Sequence, residues 1–331
     1  MKYERITAEF YGRAWALPEE LLLRMNELLS AQASGVKWSE AEIYDRIANA
    51  NARSGYETRE HLMASERRQG RNSGGGKVAV IPIVGIISHR ASMIAEISGP
   101  GAGTSIQKLQ GQFREALQAE DCKEIVFDVD SPGGCVDGVM ELASEIYDAR
   151  KQKPITAVCN SMACSAAYWL AAAAGEVIIT PSGQAGSIGV YMVHQDESEA
   201  LKKDGIKITV IKAGKYKTEG SSSEPLSQEA YDACQDKVNE YYGMFVKAVS
   251  QYRGASQVAV RDGYGQGRSL LAADAVKQNL ADRIGTFDDI LGEALGRRQL
   301  GGRRSIPLAS DWQASLQARQ RQLDRSWLDE N

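Results

Sequence analysis

Three short segments carry residue types at spacings that can do chemistry. The first, Asp130-Ser131-Pro132-Gly133-Gly134, follows the apolar run Ile125–Val129. Two consecutive glycines let a backbone turn sharply and leave N–H groups exposed, and such donors can hold the oxyanion of a tetrahedral intermediate. Alone, a Pro-Gly-Gly is more often a plain strand-to-helix turn. The second segment is Asn160-Ser161-Met162-Ala163-Cys164-Ser165-Ala166-Ala167-Tyr168. It sets the Ser165 hydroxyl at the start of an Ala-rich helix, where the helix dipole and small neighbours favour a nucleophile. A serine there more commonly just caps the helix. Ser161 competes for the cap, and Cys164 is a rival nucleophile unless it is a small buried filler. The third segment, Ala213-Gly214-Lys215-Tyr216-Lys217-Thr218, offers an amine. A lysine acts as a base near neutral pH only where desolvation or nearby positive charge lowers its pKa, and most lysines at strand ends are simply solvated.

The elements that must position these residues read as an alternation. Val78–Ile87 is a continuous β-branched run that suits a strand buried on both faces. A helix over Ser105–Gln118 leads to the strand Ile125–Val129, then the helix Val136–Arg150, the strand Ile155–Cys159, the helix Ser165–Ala174 and the strand Val177–Thr180. Ile188–Val193 and Ile206–Ile211 add strands around a short helix Glu197–Lys203. A long helix over Ser227–Arg253 and shorter ones to about Gly296 follow. Strands and helices of these lengths in turn predict βαβ units and a largely parallel α/β sheet, in which ligands bind at the carboxyl ends of the strands. Residues 1–63 have helical periodicity and predict a helical N-terminal extension; 64–76 read as a Gly/Ser/Arg linker open to proteolysis; 77–296 form the chemical domain. Residues 297–331 read as a polar, Arg/Gln-rich tail.

Composition narrows the function classes. The 331 residues carry 39 Lys plus Arg against 43 Asp plus Glu, a net charge of −4, which gives no reason to expect nucleic acid or an anionic membrane as a partner. No apolar run approaches the ~20 residues of a membrane span, and charges interrupt Met1–Leu17, so neither a membrane anchor nor a secretory signal is read and a cytoplasmic protein is expected. The five cysteines form no CxxC pair and predict reduced thiols. The three histidines, His61, His89 and His194, show no metal-ligand spacing and no nucleophile-elbow pattern, so neither a metal centre nor a Ser-His-Asp triad is expected and no cofactor is called for.

In combination, the segments are more specific than any one of them. The chain from Val78 to about Asp289 resembles the signal peptide peptidase/protease IV family (S49) of serine peptidases. The matching stretches are Val80–Ile86, Asp130–Gly134, Met162–Tyr168, Gly186–Val190, Gly214–Lys217 and Gly267–Gly285, in order and at matching spacing. The resemblance implies a crotonase/caseinolytic-protease-like ββα superhelix and a Ser–Lys dyad. Ser165 would be the nucleophile, Lys217 the general base and Ser187 the group orienting the lysine. The oxyanion hole would come from the backbone of Gly133 or Gly134 together with Ala166. It implies an endopeptidase working through an acyl-enzyme on polypeptide substrates, with a small residue before the scissile bond, and assembled as a homo-oligomer through Ser227–Arg253 and the N-terminal helices.

Two departures refine the expectation. Ala166-Ala167 stands where the family commonly has two glycines, and no membrane anchor is read. Both favour the phage prohead (capsid-assembly) protease branch, acting on scaffold, portal and capsid proteins in the host cytoplasm or procapsid, and on its own tails at Ser65–Gly76 or Arg297–Arg304. The competing readings are a soluble bacterial signal-peptide-peptidase-like protease, an inactive scaffolding protein of the same fold, and a crotonase-type enzyme acting on CoA thioesters. The last needs a glutamate acid/base that has no matching position here.

Overall fold

The computed structural model describes residues 14–16, 77–90 and 103–296. In chain order these form β1 (Trp15–Ala16), β2 (Lys77–Ser88), β3 (Gly103–Ser105), α1 (Ile106–Gln118), β4 (Cys122–Cys135), α2 (Val139–Ala149), β5 (Ile155–Cys164) and α3 (Ala166–Ala172). They continue with β6 (Glu176–Ile179), β7 (Gln184–Gly186), α4 (Ser198–Lys203), α5 (Gln228–Arg253), α6 (Gln257–Gly263), β8 (Ser269–Leu271), α7 (Ala272–Lys277), β9 (Arg283–Ile284) and α8 (Phe287–Ala294).

A sheet in the order β3-β2-β4-β5-β6-β9 runs parallel throughout. Its central strands are apolar on both faces: Ile125, Val126, Phe127 and Val129 of β4 and Ala157, Val158 and Cys159 of β5 are all fully buried. That composition explains the uninterrupted apolar runs in the sequence, since a parallel strand is covered by helices on both sides. The α/β class is as expected. Helix α3 is buried along its whole length. Trp169 stacks on Phe245 of α5 with ring centroids 4.3 Å apart, and the Tyr168 hydroxyl donates to Leu280 O at 2.9 Å. The helix that follows Ser165 is therefore gripped by two later parts of the chain.

Strands β4 and β5 run further than the sequence predicts. Their register shifts between Val129 and Ser131, after which pairing resumes at Ser131↔Ala163. Beyond this irregularity β4 carries Gly133-Gly134 as strand rather than as a strand-to-helix turn, and β2 pairs it through Ile86↔Gly133 and Ile87↔Gly134. A side chain at Gly134 would collide with the Ile87 backbone, so only glycine fits there.

Two expected strands are absent. Ile188–Val193 contributes a single bridge, Tyr191 to Trp15, and 206–211 forms no strand. The apolar/polar alternation of Ile206-Lys207-Ile208-Thr209-Val210 has the right period, but no described strand pairs with it. Ile206, Ile208 and Val210 are half exposed and Ile211 is 97% exposed. Conversely, β1, β3, β7 and β8 are too short to announce themselves by period. The described part of 1–63 is Ala14–Ala16, whose last two residues are strand β1. The rest of the expected helical extension, the linker 64–76 and the tail 297–331, with their proposed cutting sites, lie outside the described residues.

Candidate active site

Ser165 occupies the sharp junction between β5 and α3. Its φ of 55° and ψ of −121° lie in a region costly for a residue with a side chain, of order 1–3 kcal/mol. The junction is pinned from both sides, the Ser165 N–H donating to Gly186 O at 2.6 Å and the Trp169 N–H to Ser165 O at 3.0 Å. Although Ser165 stands at the N-cap position, its hydroxyl makes no capping bond. Its partner is Gly189 O, at a long 3.5 Å. The commoner role for a serine here, helix capping, is thus not the one this side chain plays. Ser161 does not cap either: it lies within β5 at φ 117°, and its hydroxyl donates to Asp130 Oδ1 at 2.8 Å. The rival nucleophile Cys164 is buried, and desolvation pushes its thiol up to about 12, so it stays protonated and unreactive.

Gly133 faces Ser165 directly. A Cβ built on it, at φ 107°, would sit 2.9 Å from both Ser165 Cβ and Cys164 O, and would drive into the carbonyl oxygen of Ala16. The Gly133 N–H already donates to Ser131 Oγ at 3.2 Å, and Ser131 Oγ in turn donates to Gly85 O at 2.6 Å. This network fixes the turn of the glycine pair. The N–H of Ala166, first residue of α3, has no acceptor within its own helix, as first-turn amides never do.

The remaining predicted residues are less gathered. Ser187 is half buried at φ 53° and is held by its N–H donating to Arg268 O at 2.9 Å. Lys217 is exposed, in a run of turns from Lys215 to Gly220, with its N–H donating to Gly214 O at 3.2 Å. Among the described residues, no hydrogen bond joins the Lys217 amine to Ser165 or Ser187. His194 lies against Ser221 O at 3.1 Å, and His89 lies past the end of β2; His61 is outside the described residues. Among the described residues no group of acidic, histidine or cysteine side chains could hold a metal ion, and no helix is long and apolar enough to cross a membrane.

One constituent of the site had no signal in the sequence. Strand β1, remote in sequence from the chemical domain, lies antiparallel along β4 with Ala16 opposite Gly134 and Trp15 opposite Cys135.

Part of the chain that holds these features is similar to known proteins. Residues 148–300 match Peptidase family S49. The matched stretch contains Ser165, Ser187 and Lys217 and begins beyond the glycine pair. The head-tail preconnector protein GP5 of Enterobacteria phage P21 is 31% identical over 247 residues, covering 74% of this chain and 48% of that protein. Capsid assembly protease C of Escherichia phage lambda is 32% identical over 225 residues, covering 67% and 50%. Protease 4 of Haemophilus influenzae is 27% identical over 219 residues, covering 66% and 34%. The chain thus spans about half the length or less of these curated relatives. A solved structure of the 1510-N membrane-bound stomatin-specific protease superposes over 69% of this chain and 93% of its own, with a TM-score of 0.43 and 14% identity.

Proposed function

We propose that this chain, whose residues 148–300 match peptidase family S49, is a serine endopeptidase in which Ser165 is the nucleophile and Lys217 the general base. The observation that carries the reading is the state of Ser165. Its backbone is strained, its hydroxyl makes no capping bond, and it packs against a glycine whose lack of a side chain leaves room for a carbonyl. Strain of this kind persists where the surrounding structure enforces it, and such residues cluster at active sites. Lys217 would take the Ser165 proton as the hydroxyl attacks the scissile carbonyl. The amides of Gly134 and Ala166 would face the developing oxyanion, while the Gly133 N–H is committed to Ser131. The acyl-enzyme would then be released by water, with the same lysine as base. Ser187 would orient the amine.

Lys217 is exposed and makes no hydrogen bond to Ser165, so the segment 206–217 would close on the cleft to bring the amine to the hydroxyl. We read its uncovered apolar side chains, Ile206, Ile208, Val210 and Ile211, as a surface that a second copy of the chain covers. Assembly as a homo-oligomer would then dock the segment and desolvate Lys217, the condition under which a lysine loses its proton near neutral pH. The similarity to a phage capsid assembly protease and a head-tail preconnector protein supports a role in phage capsid assembly. Scaffold, portal and capsid polypeptides would be the substrates, in the host cytoplasm or procapsid. The alternatives are a bacterial signal-peptide-peptidase-like protease and an inactive scaffolding protein.

Labelling with a fluorophosphonate, followed by peptide mapping, tests the central claim. The adduct is expected on Ser165, with loss of casein hydrolysis in Ser165→Ala and Lys217→Ala. Casein hydrolysis unaffected by Ser165→Ala would refute the assignment of the nucleophile. The absence of both adduct and hydrolysis in the assembled protein would favour the inactive scaffold.

A further inference from the structure

Strand β1 lies beside Ser165, along the glycine pair. On one side it pairs antiparallel with the end of β4, at Ala16↔Gly134 and Trp15↔Cys135. On the other side Trp15 and Tyr191 exchange both backbone hydrogen bonds, Trp15 N–H to Tyr191 O at 2.9 Å and Tyr191 N–H to Trp15 O at 3.0 Å. An extended segment held by main-chain bonds along a sheet edge is a general way a sheet captures a polypeptide, with affinity from the backbone and selectivity from the pockets. Both walls belong to the site. Gly133 and Gly134 form one, and Tyr191 lies two residues beyond Gly189, whose carbonyl accepts from the Ser165 hydroxyl.

The register is informative. The Ala16 carbonyl oxygen and Ser165 Cβ both crowd the one point that a Gly133 side chain would occupy, Ser165 Cβ at 2.9 Å from it. The carbonyl beside the nucleophile is therefore that of Ala16. Its side chain is wholly buried, and Ala14 and Trp15 are 4% and 6% exposed. A methyl group fills the position before the bond, and the next residue in the chain is Leu17.

We propose that this chain is its own substrate at the Ala16–Leu17 bond, with Ala14–Ala16 seated in the substrate groove until it is cut. The inference rests on Ser165 being the nucleophile of a peptidase. In the first step the Ser165 oxygen bonds to the Ala16 carbonyl carbon and the Ala16–Leu17 C–N bond breaks. The hydroxyl proton passes through the general base to the departing Leu17 amine. Water then adds to the ester, giving the Ala16 carboxylate and restoring the Ser165 hydroxyl. The fragment ending at Ala16 remains a main-chain ligand of the groove until it dissociates, so processing also opens the cleft to other polypeptides.

Intact-mass measurement and N-terminal sequencing of the full chain during incubation test this. A new N-terminus at Leu17 is expected in the parent and is absent from Ser165→Ala. It is also lost at this bond in Ala16→Asp, which forces a carboxylate into a fully buried position. A chain that keeps its N-terminus through Ala16 while hydrolysing casein in a Ser165-dependent manner overturns the inference and leaves the peptidase reading standing. Absence of Ser165-dependent hydrolysis of both casein and chain overturns the peptidase reading and this inference with it. Hydrogen exchange on the full-length Ser165→Ala chain tests occupancy without catalysis. The Trp15 and Tyr191 amides are expected to exchange at least roughly a hundredfold more slowly than unstructured amides. A Trp15 amide exchanging at the unstructured rate overturns the proposal.

Discussion

Replacing Gly133 by alanine adds one methyl group at the point where Ser165 (the proposed nucleophile), the strand before it and β1 converge. The new Cβ would lie 2.9 Å from Ser165 Cβ and from Cys164 O and would overlap Ala16 O. Non-bonded carbons settle at about 3.5–4.0 Å, so the neighbours must retreat by roughly 0.6 Å or more. None of the three is the tip of a flexible side chain, and the φ of 107° adds backbone strain of about 1–3 kcal/mol. A displacement of about 1 Å between reacting groups costs on the order of 10²-fold in rate. Gly133→Ala is therefore expected to lower kcat/KM on a fluorogenic casein about a hundredfold, with a fall in thermal stability of a few kcal/mol at most. Gly111→Ala is the matched control. It lies inside α1 with nothing within 4 Å of the added methyl, so it should gain roughly 0.5–1 kcal/mol of stability and leave hydrolysis unchanged. A Gly133→Ala enzyme within about threefold of the parent would refute the argument that this glycine makes room for the substrate carbonyl, since the clash predicts far more.

The Arg253 guanidinium, its side chain 5% exposed, donates to both Asp282 oxygens and to Asn279 O, and Asp282 Oδ2 also accepts from the Val177 N–H. Arg253→Ala is expected to cost about 3 kcal/mol in urea unfolding, because it strands a partly buried carboxylate; a loss below about 1 kcal/mol contradicts this. Burial alone would raise the Asp282 pKa, but Arg253 and the Val177 N–H outweigh it and hold the carboxyl below its usual range. Its contribution is thus complete above about pH 4 and lost as pH falls through the depressed value, so acid unfolding of Asp282→Asn should be shallower than that of the parent. Cys164→Ser should retain casein hydrolysis, and iodoacetamide at about pH 7.5 should leave the parent active, because a thiol titrating near 12 stays protonated; inhibition mapped to Cys164 contradicts this. Ile208→Asp and Ile211→Asp should lower the assembly state in sedimentation velocity and reduce hydrolysis together. Unchanged sedimentation would remove 206–211 from any subunit contact.

The central sheet was legible because β4 and β5 are doubly covered strands, and double cover leaves an unbroken apolar run such as Ile125–Val129 in the sequence. Strand β2 departs from the expected burial on both faces, with Ile81, Ile83 and Ile87 buried but Val80, Pro82, Val84 and Ile86 only half buried. Helices α1, α2 and α5 were equally plain from their spacing, ending within a few residues of the expected bounds. The stretch 206–211 misled because alternation reports which face is apolar, not whether a neighbouring strand exists to pair with it. The extension of β4 through Gly133-Gly134 was hidden because glycine pairs ordinarily signal turns. Here they mark a strand whose backbone is approached closely from both sides. Ser165 emerged from its neighbours, whereas the position of Ala14–Ala16 could not: a strand of two residues has no period, and only the folded chain brings it to Gly134.

Every residue of the helix that begins after Ser165 is buried, and this has a consequence for how such a catalyst can be altered. The proposed nucleophile would thus be mounted on the least deformable part of the molecule, because close-packed interiors yield little to a change of volume. Changes of taste for one polypeptide over another must then be written into the outer loops between Ser187 and Gly220, which sequence drift can rework without disturbing the mount. Grafting that stretch from a relative should retarget the blade while leaving its anvil in place.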